Sequence, residues 1–216
     1  MKLLYGDRAA REVSERIAAP VATLTALKAI PAANRVDGMY AHVLADDSLW
    51  QFDRASALTG DDVLVATPGA GTGAWLRAPG GALLALPITY ATADATVLLT
   101  IPTGCVLRVH EFAWKITADF TGGSSSAIGV SSSNHTGNTT KGDLLGGASG
   151  DVLATLVATS GEFAMGTIGT TFATVANRRP LWKPTDTIRF DRITSAFTAG
   201  SGYVLVACDI LKNLGA

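Results

Sequence analysis

Charge is scarce in this chain. Asp, Glu, Lys and Arg together make up 16% of its 216 residues, and the formal net charge is −1. Nucleic acid needs a concentrated basic footprint, so no nucleic-acid partner is expected. Cysteine is scarcer still: Cys105 and Cys208 are the only two. They lie far apart and form no CxxC pair, so buried free thiols are expected. The three histidines, His42, His110 and His135, share no HxH, HExxH or His–carboxylate spacing. That leaves no metal-ligand set to read. No run of about 18 apolar residues occurs, so no membrane-spanning helix is expected. The opening MKLLYGDRAAREV lacks the apolar core and cleavage site of a signal peptide, which points to synthesis in a reducing cytoplasm.

What the chain has is apolar material in short pieces. Hydrophobic residues reach 48% and the mean hydropathy is +0.29. Such a neutral, apolar-leaning chain suits a protein that buries surface against copies of itself or a partner. The length allows one large domain or two small ones.

The best helix candidate is DRAAREVSERIAA, residues 7–19. Asp7 can cap it, Ala10, Val13 and Ile17 share a face, and Pro20 ends it. VATLTALKAIPAAN continues as a second helical turn or an extended arm that stops near Pro31. Four short strands are expected next: MYAHVL (39–44), SLWQFD (48–53), DVLVAT (62–67) and GAWLRA (73–78). Gly, Asp and Ser punctuate them, which is turn chemistry. Consecutive antiparallel pairing would make a small meander with Trp50, Phe52 and Trp75 as its aromatic core. The pair Asp46–Asp47 reads as a solvated turn.

APGGALLALP (78–87) reads as a domain boundary. Beyond it only β runs are visible, among them TVLLTIP, CVLRVHEFAWKITADF, SAIGVSSS, DTIRFDRITSAFT and GYVLVACDIL. About eight or nine short strands without helices indicate a sandwich or barrel, and a jelly roll fits the number. The expected organisation is all-β. Residues 1–30 form a helical or extended arm, 31–80 a small β-meander, and 81–216 a jelly-roll-like β-sandwich. Residues 121–150 are polar and small, as in long surface loops.

No motif carries catalytic chemistry. GAGTGAW (69–75) lacks the spacing, the lysine and the following helix of a phosphate cradle, and reads as a turn. The serine runs 124–126 and 131–133 contain no GxSxG elbow. The pairs Asp46–Asp47 and Asp61–Asp62 could meet a cation but match no EF-hand pattern. The sequons at 134–136 and 138–140 mark a surface loop. NRRPLWKP (177–184) is the one basic cluster with an aromatic. Arg178, Arg179, Trp182 and Lys183 there could grip an acidic surface or a sugar. The competing reading is a rigid crossover or edge strand with Trp182 in the core. No cofactor is expected.

The stretch from residue 22 to 78 resembles a segment of tailed-bacteriophage virion proteins. The resemblance rests on Leu24, Leu27, Ile30, Pro31, Arg35, Asp37 and Gly38. It continues through Ser48, Leu49, Trp50, Phe52, Asp53 and Ser56, and then Gly71, Thr72, Gly73, Trp75, Leu76 and Arg77. It covers about a quarter of the chain. It implies a non-enzymatic head decoration (cement) or head-fibre protein, typically a homotrimer, bound to the major capsid protein on the outer head surface. Arg8, Arg11, Arg16 and Lys28 are then the capsid-docking candidates. A tail-fibre or adaptor module that recognises host carbohydrate, through the 121–150 loops and Trp182, is the alternative. A cupin-like enzyme would need clustered histidines.

Overall fold

The computed structural model describes residues 18, 20–122, 127–133, 144, 163–164, 181–193 and 196–213. The chain divides into two compact units. The first runs to Pro79 and takes in Pro102–Cys105; the second holds Gly80–Ile101 and continues from Val106. Both are built mainly of antiparallel strands, and the described residues contain one α-helix.

That helix, α1 (Leu24–Lys28), starts where Thr23 turns its hydroxyl back to accept the Ala26 N–H at 3.2 Å. It is little more than one turn, and packing stabilises it rather than propensity. Leu27 is buried, and Val21, Leu24 and Ile30 pack beside it on the module core. The residues before it run parallel to the first strand. Val21 donates to the His42 carbonyl at 2.9 Å, and Leu44 donates to the Val21 carbonyl at 2.9 Å. The described part of residues 1–30 is therefore not a separate arm. Its apolar side chains complete the small sheet, because a sheet this size cannot cover its own inner face. The helix expected at 7–19 lies almost entirely outside the described residues.

The small sheet contains β1 (Tyr40–Val43), β2 (Ser48–Asp53), β3 (Val65–Ala66) and β4 (Ala74–Arg77). β2 has the same bounds as the expected strand. The order is β1-β2-β4-β3, not a simple meander. β4 pairs directly with β2 and places Trp75 opposite Phe52, so β3 is displaced to the outside. Aromatic cross-strand packing outweighs the short loop closure that a meander would favour. Trp50, Phe52 and Trp75 are all buried, with Phe52 and Trp75 ring centres 5.1 Å apart.

In the second unit, β5 (Gly80–Thr89), β7 (Cys105–Thr121), β9 (Phe163–Ala164), β10 (Leu181–Trp182) and β12 (Ala199–Asn213) form one sheet. Its path is β10-β7-β12-β5, with β9 also paired to β7. β6 (Thr96–Thr100), β8 (Ala127–Ser131) and β11 (Thr187–Ile193) form a second sheet in the order β6-β11-β8. Period-two alternation sets the buried face. Leu84, Leu86 and Ile88 of β5 point inward, as do Val204, Val206, Cys208 and Ile210 of β12. In β7 the buried positions are Cys105, Leu107 and Val109, then Phe112, Trp114 and Ile116. The phase slips by one residue near Glu111, as a bulge does. Both cysteines are buried.

The expected boundary at APGGALLALP holds, but most of the segment is strand. The boundary falls after Pro79, and Gly80–Thr89 is a ten-residue strand paired along its length with β12. Its Gly–Gly and Pro residues resemble linker punctuation. They are tolerated because β5 lies at the end of its sheet.

Candidate functional site

Arg35, Asp37, Gly38, Phe52, Asp53, Gly71 and Gly73 gather at one place in the first unit. Arg35 is at its centre, only 2% exposed. Its guanidinium lies over the Phe52 ring, 5.1 Å from the centroid. Nη2 donates to the Ala70 carbonyl, while Nε and Nη1 have no hydrogen-bond partner. Burying an arginine without a carboxylate is costly; the ring face and the carbonyl offset part of that cost.

The neighbours of Arg35 are tied down in turn. Arg54 Nη2 donates to the Arg35 carbonyl at 3.0 Å, and the Arg54 N–H donates to Asp37 Oδ1 at 2.9 Å. Gly38 donates to the Phe52 carbonyl and Phe52 to the Met39 carbonyl, each at 2.8 Å. Asp53 Oδ1 accepts the N–H groups of Ala55 and Ser56 at 2.9 and 3.1 Å, which turns the chain out of β2. The glycine loop closes the other side. Gly73 has φ +92, and a Cβ there would stand 2.6 Å from the Asp53 carbonyl oxygen and 2.8 Å from the Phe52 ring. Gly71, at φ +78, leaves room for the Arg35 guanidinium. GAGTG is therefore a close-packing turn.

The hairpin LADDSLW is a second tied feature. Trp50 Nε1 donates to Ser48 Oγ at 2.7 Å, and Ser48 Oγ donates to Asp46 Oδ1 at 2.6 Å. Asp46 Oδ2 also faces Arg77 Nη1 at 3.5 Å, and Arg77 lies over the Trp50 ring at 5.9 Å. Asp47, at φ +50, meets His42 Nε2 at 2.6 Å. The acidic pair is thus not simply a solvated turn. Asp46 anchors the buried indole through a hydroxyl, which a reading of turn propensity alone does not reveal.

The Asp61–Asp62 pair is similarly committed. Asp61 Oδ1 accepts the N–H groups of Val63, Leu64 and Val65 at 2.9, 2.7 and 2.8 Å. Asp62 pairs with Lys28 at 2.9 Å. Lys28 is therefore held within the module rather than free for a partner. Arg8, Arg11 and Arg16 lie outside the described residues, as do Arg178, Arg179, the sequons and most of the 121–150 loops.

Trp182 belongs to β10 and is fully buried, 6.2 Å from the Phe112 ring centre. A buried indole cannot stack on a sugar, so the ligand-loop reading loses its aromatic residue. Lys183 follows on the exposed side, where its N–H donates to Asp186 Oδ2 at 2.8 Å. On the outer face of the larger sheet His110 and Arg108 meet Asp209 at 2.9 and 3.9 Å. No group of three or more potential metal ligands occurs among the described residues. One shallow open cleft of about 520 Å³ lies beside Arg54, Ser56, Thr67, Thr72 and Gly73. The Ser56 and Thr67 hydroxyls there already accept the N–H groups of Leu58 and Gly60. The arrangement is a tightly tied small unit, in which these polar groups hold its own backbone.

Compared with known proteins, the chain matches no family model, no curated protein and no solved structure.

Proposed function

We propose that this chain is a non-enzymatic structural protein of a tailed-bacteriophage virion, a decoration or cement protein of the outer head surface. The role of the signature residues carries this reading. Arg35, Asp37, Gly38, Trp50, Phe52, Asp53, Gly73 and Trp75 all serve to hold one small module in shape. A pattern whose members are spent on rigidity suits a protein that acts by fitting against neighbours. The module and the residues before it dock on the major capsid protein, and the larger unit, with a jelly-roll-like body, projects. Copies of the chain assemble with one another, as a homotrimer in the arrangement the resemblance implies. Many weak contacts repeated over a shell add to a strong one by multivalency. Synthesis is in the host cytoplasm, with neither nucleic acid nor membrane as partner.

The test is to mix the full chain with undecorated capsids and sediment them. The wild-type chain should co-sediment. The charge-reversed variant R8E/R11E/R16E should bind about tenfold or more weakly, a loss of about 1.4 kcal/mol or more. Undiminished binding by that variant would refute the role of the basic residues. Failure of the wild-type chain to co-sediment would refute the decoration reading.

A further inference from the structure

We infer that the edge of β5 away from β12 is a two-fold contact between copies of this chain, centred on Leu83. The inference rests on the strand's geometry and is independent of the virion reading. Among the described residues β5 ends its sheet, with β12 on one side and no strand on the other.

The direction of its backbone groups follows from the register. Thr89 is opposite Ser201 without any slip down to Gly80 opposite Ile210, and Tyr90 donates to the Gly200 carbonyl at 2.9 Å. Even-numbered residues therefore bond to β12, and odd-numbered ones turn their N–H and C=O groups to the open edge. Two further observations agree. Thr89 donates to its own turn, at Thr92 Oγ1, rather than to β12. Pro87 falls on an odd position, where its missing N–H costs the ladder nothing.

Natural edge strands are protected by charges, by prolines, by brevity or by covering elements. β5 carries no charged side chain, and Pro87 is the one such feature within it, which leaves Gly81, Leu83 and Ala85 to offer edge N–H groups. Leu83 is 56% exposed, and Gly81 and Ala85 are exposed on either side of it.

The occupant that fits is a second β5, run antiparallel. A two-fold axis at Leu83 pairs Leu83 with itself and Gly81 with Ala85, so each edge donor meets an edge acceptor. Pro79 and Pro87 stand equally far from Leu83 in the sequence. The same axis places them opposite one another, beyond the ladder, where neither interrupts it. A register shifted by two residues one way would bring Pro87 against Gly81, and shifted the other way would bring Pro79 against Ala85. Because the strand is uncharged, like copies meet without repulsion.

Light scattering on the full chain across a concentration series tests the contact, together with amide hydrogen exchange. The mass should rise by a factor of two over the form that L83K leaves. L83K puts two ammonium groups on the axis, and A85P removes an edge donor while sparing the β12 ladder. Each should weaken association about tenfold or more with the far-ultraviolet circular dichroism unchanged. Y203K changes the same face one strand away and should leave association intact. In the wild-type chain the amides of Leu83 and Ala85 should gain protection as concentration rises, while those of Leu84 and Leu86 are protected throughout. Leu83 and Ala85 amides that exchange equally fast at every concentration would overturn the proposal, whatever the variants do. Association lost in Y203K but kept in L83K would also overturn it.

Discussion

The Arg35 guanidinium lies 5.1 Å from the centre of the Phe52 ring and carries two buried N–H-bearing nitrogens with no acceptor. The pair joins the residue after the short 3₁₀ turn at Ala32–Asn34 to the end of β2. It shows how this module uses a charged residue as packing material, and it separates the two contributions of that residue. Replacing Arg35 with Met keeps the bulk over Phe52 and removes the unpaired charge. Arg35→Met should leave stability within about 1 kcal/mol of wild type or raise it. Arg35→Ala removes the bulk as well and should cost about 2 kcal/mol or more. Urea unfolding followed by tryptophan fluorescence checks both, and a large loss in Arg35→Met would refute the packing account.

Phe52 is the hub of the module, touching both Trp75 and Arg35. Phe52→Ala should cost about 3–5 kcal/mol, because the cavity lies between elements that cannot collapse independently. Phe52→Leu should lose much less. The same unfolding measurement ranks the two, and equal losses would mean that the ring's shape does not matter.

The Trp50–Ser48–Asp46 relay predicts an asymmetry. Ser48→Ala strands the buried indole N–H and should cost about 1–3 kcal/mol. Asp46→Asn keeps an acceptor for the Ser48 hydroxyl and should cost less than half as much. Thermal unfolding of the two variants is the check, and a larger loss in Asp46→Asn would place the anchor in the Arg77 pair instead.

Gly73 combines a positive φ with contacts that leave no room for a methyl group. Gly73→Ala should cost about 1–3 kcal/mol or more, from strain and overpacking together. Ala55→Gly, on the exposed turn nearby, should change stability by less than about 1 kcal/mol. Comparable losses in the two would remove the case for close packing at Gly73.

Lys28 and Asp62 form a half-exposed pair, with side-chain exposures of 34% and 50%. Exposed pairs contribute little, so Lys28→Ala should cost no more than about 1 kcal/mol. A selective loss of capsid binding in that variant would return Lys28 to the docking surface, despite its partner within the module.

Much of the architecture was legible because it is local. SLWQFD alternates with period two, and Asp and Gly cluster between strands. These patterns follow from backbone geometry and depend on near neighbours only. β5 was missed for a local reason too: Gly–Gly and Pro carry a turn signal that an edge position overrides. Trp50, Phe52 and Trp75 were legible as the aromatic core, but the burial of Arg35 and the tie of Asp46 to the Trp50 indole were not.

The sequence by itself determined the mostly β character, the turn positions and a division close to residue 80. It also determined that β5 carries no charge and that its prolines flank Leu83 symmetrically. Only the tertiary structure decided that β4 inserts between β2 and β3, that Arg35 is buried on Phe52, and that Trp182 packs against Phe112. Only it decided which side of β5 pairs with β12. The difference is physical. Alternation and turn chemistry are set within a few residues of chain. Strand order and the burial of a polar or aromatic side chain depend on which distant surfaces exclude water best, and that is a property of the whole packed unit.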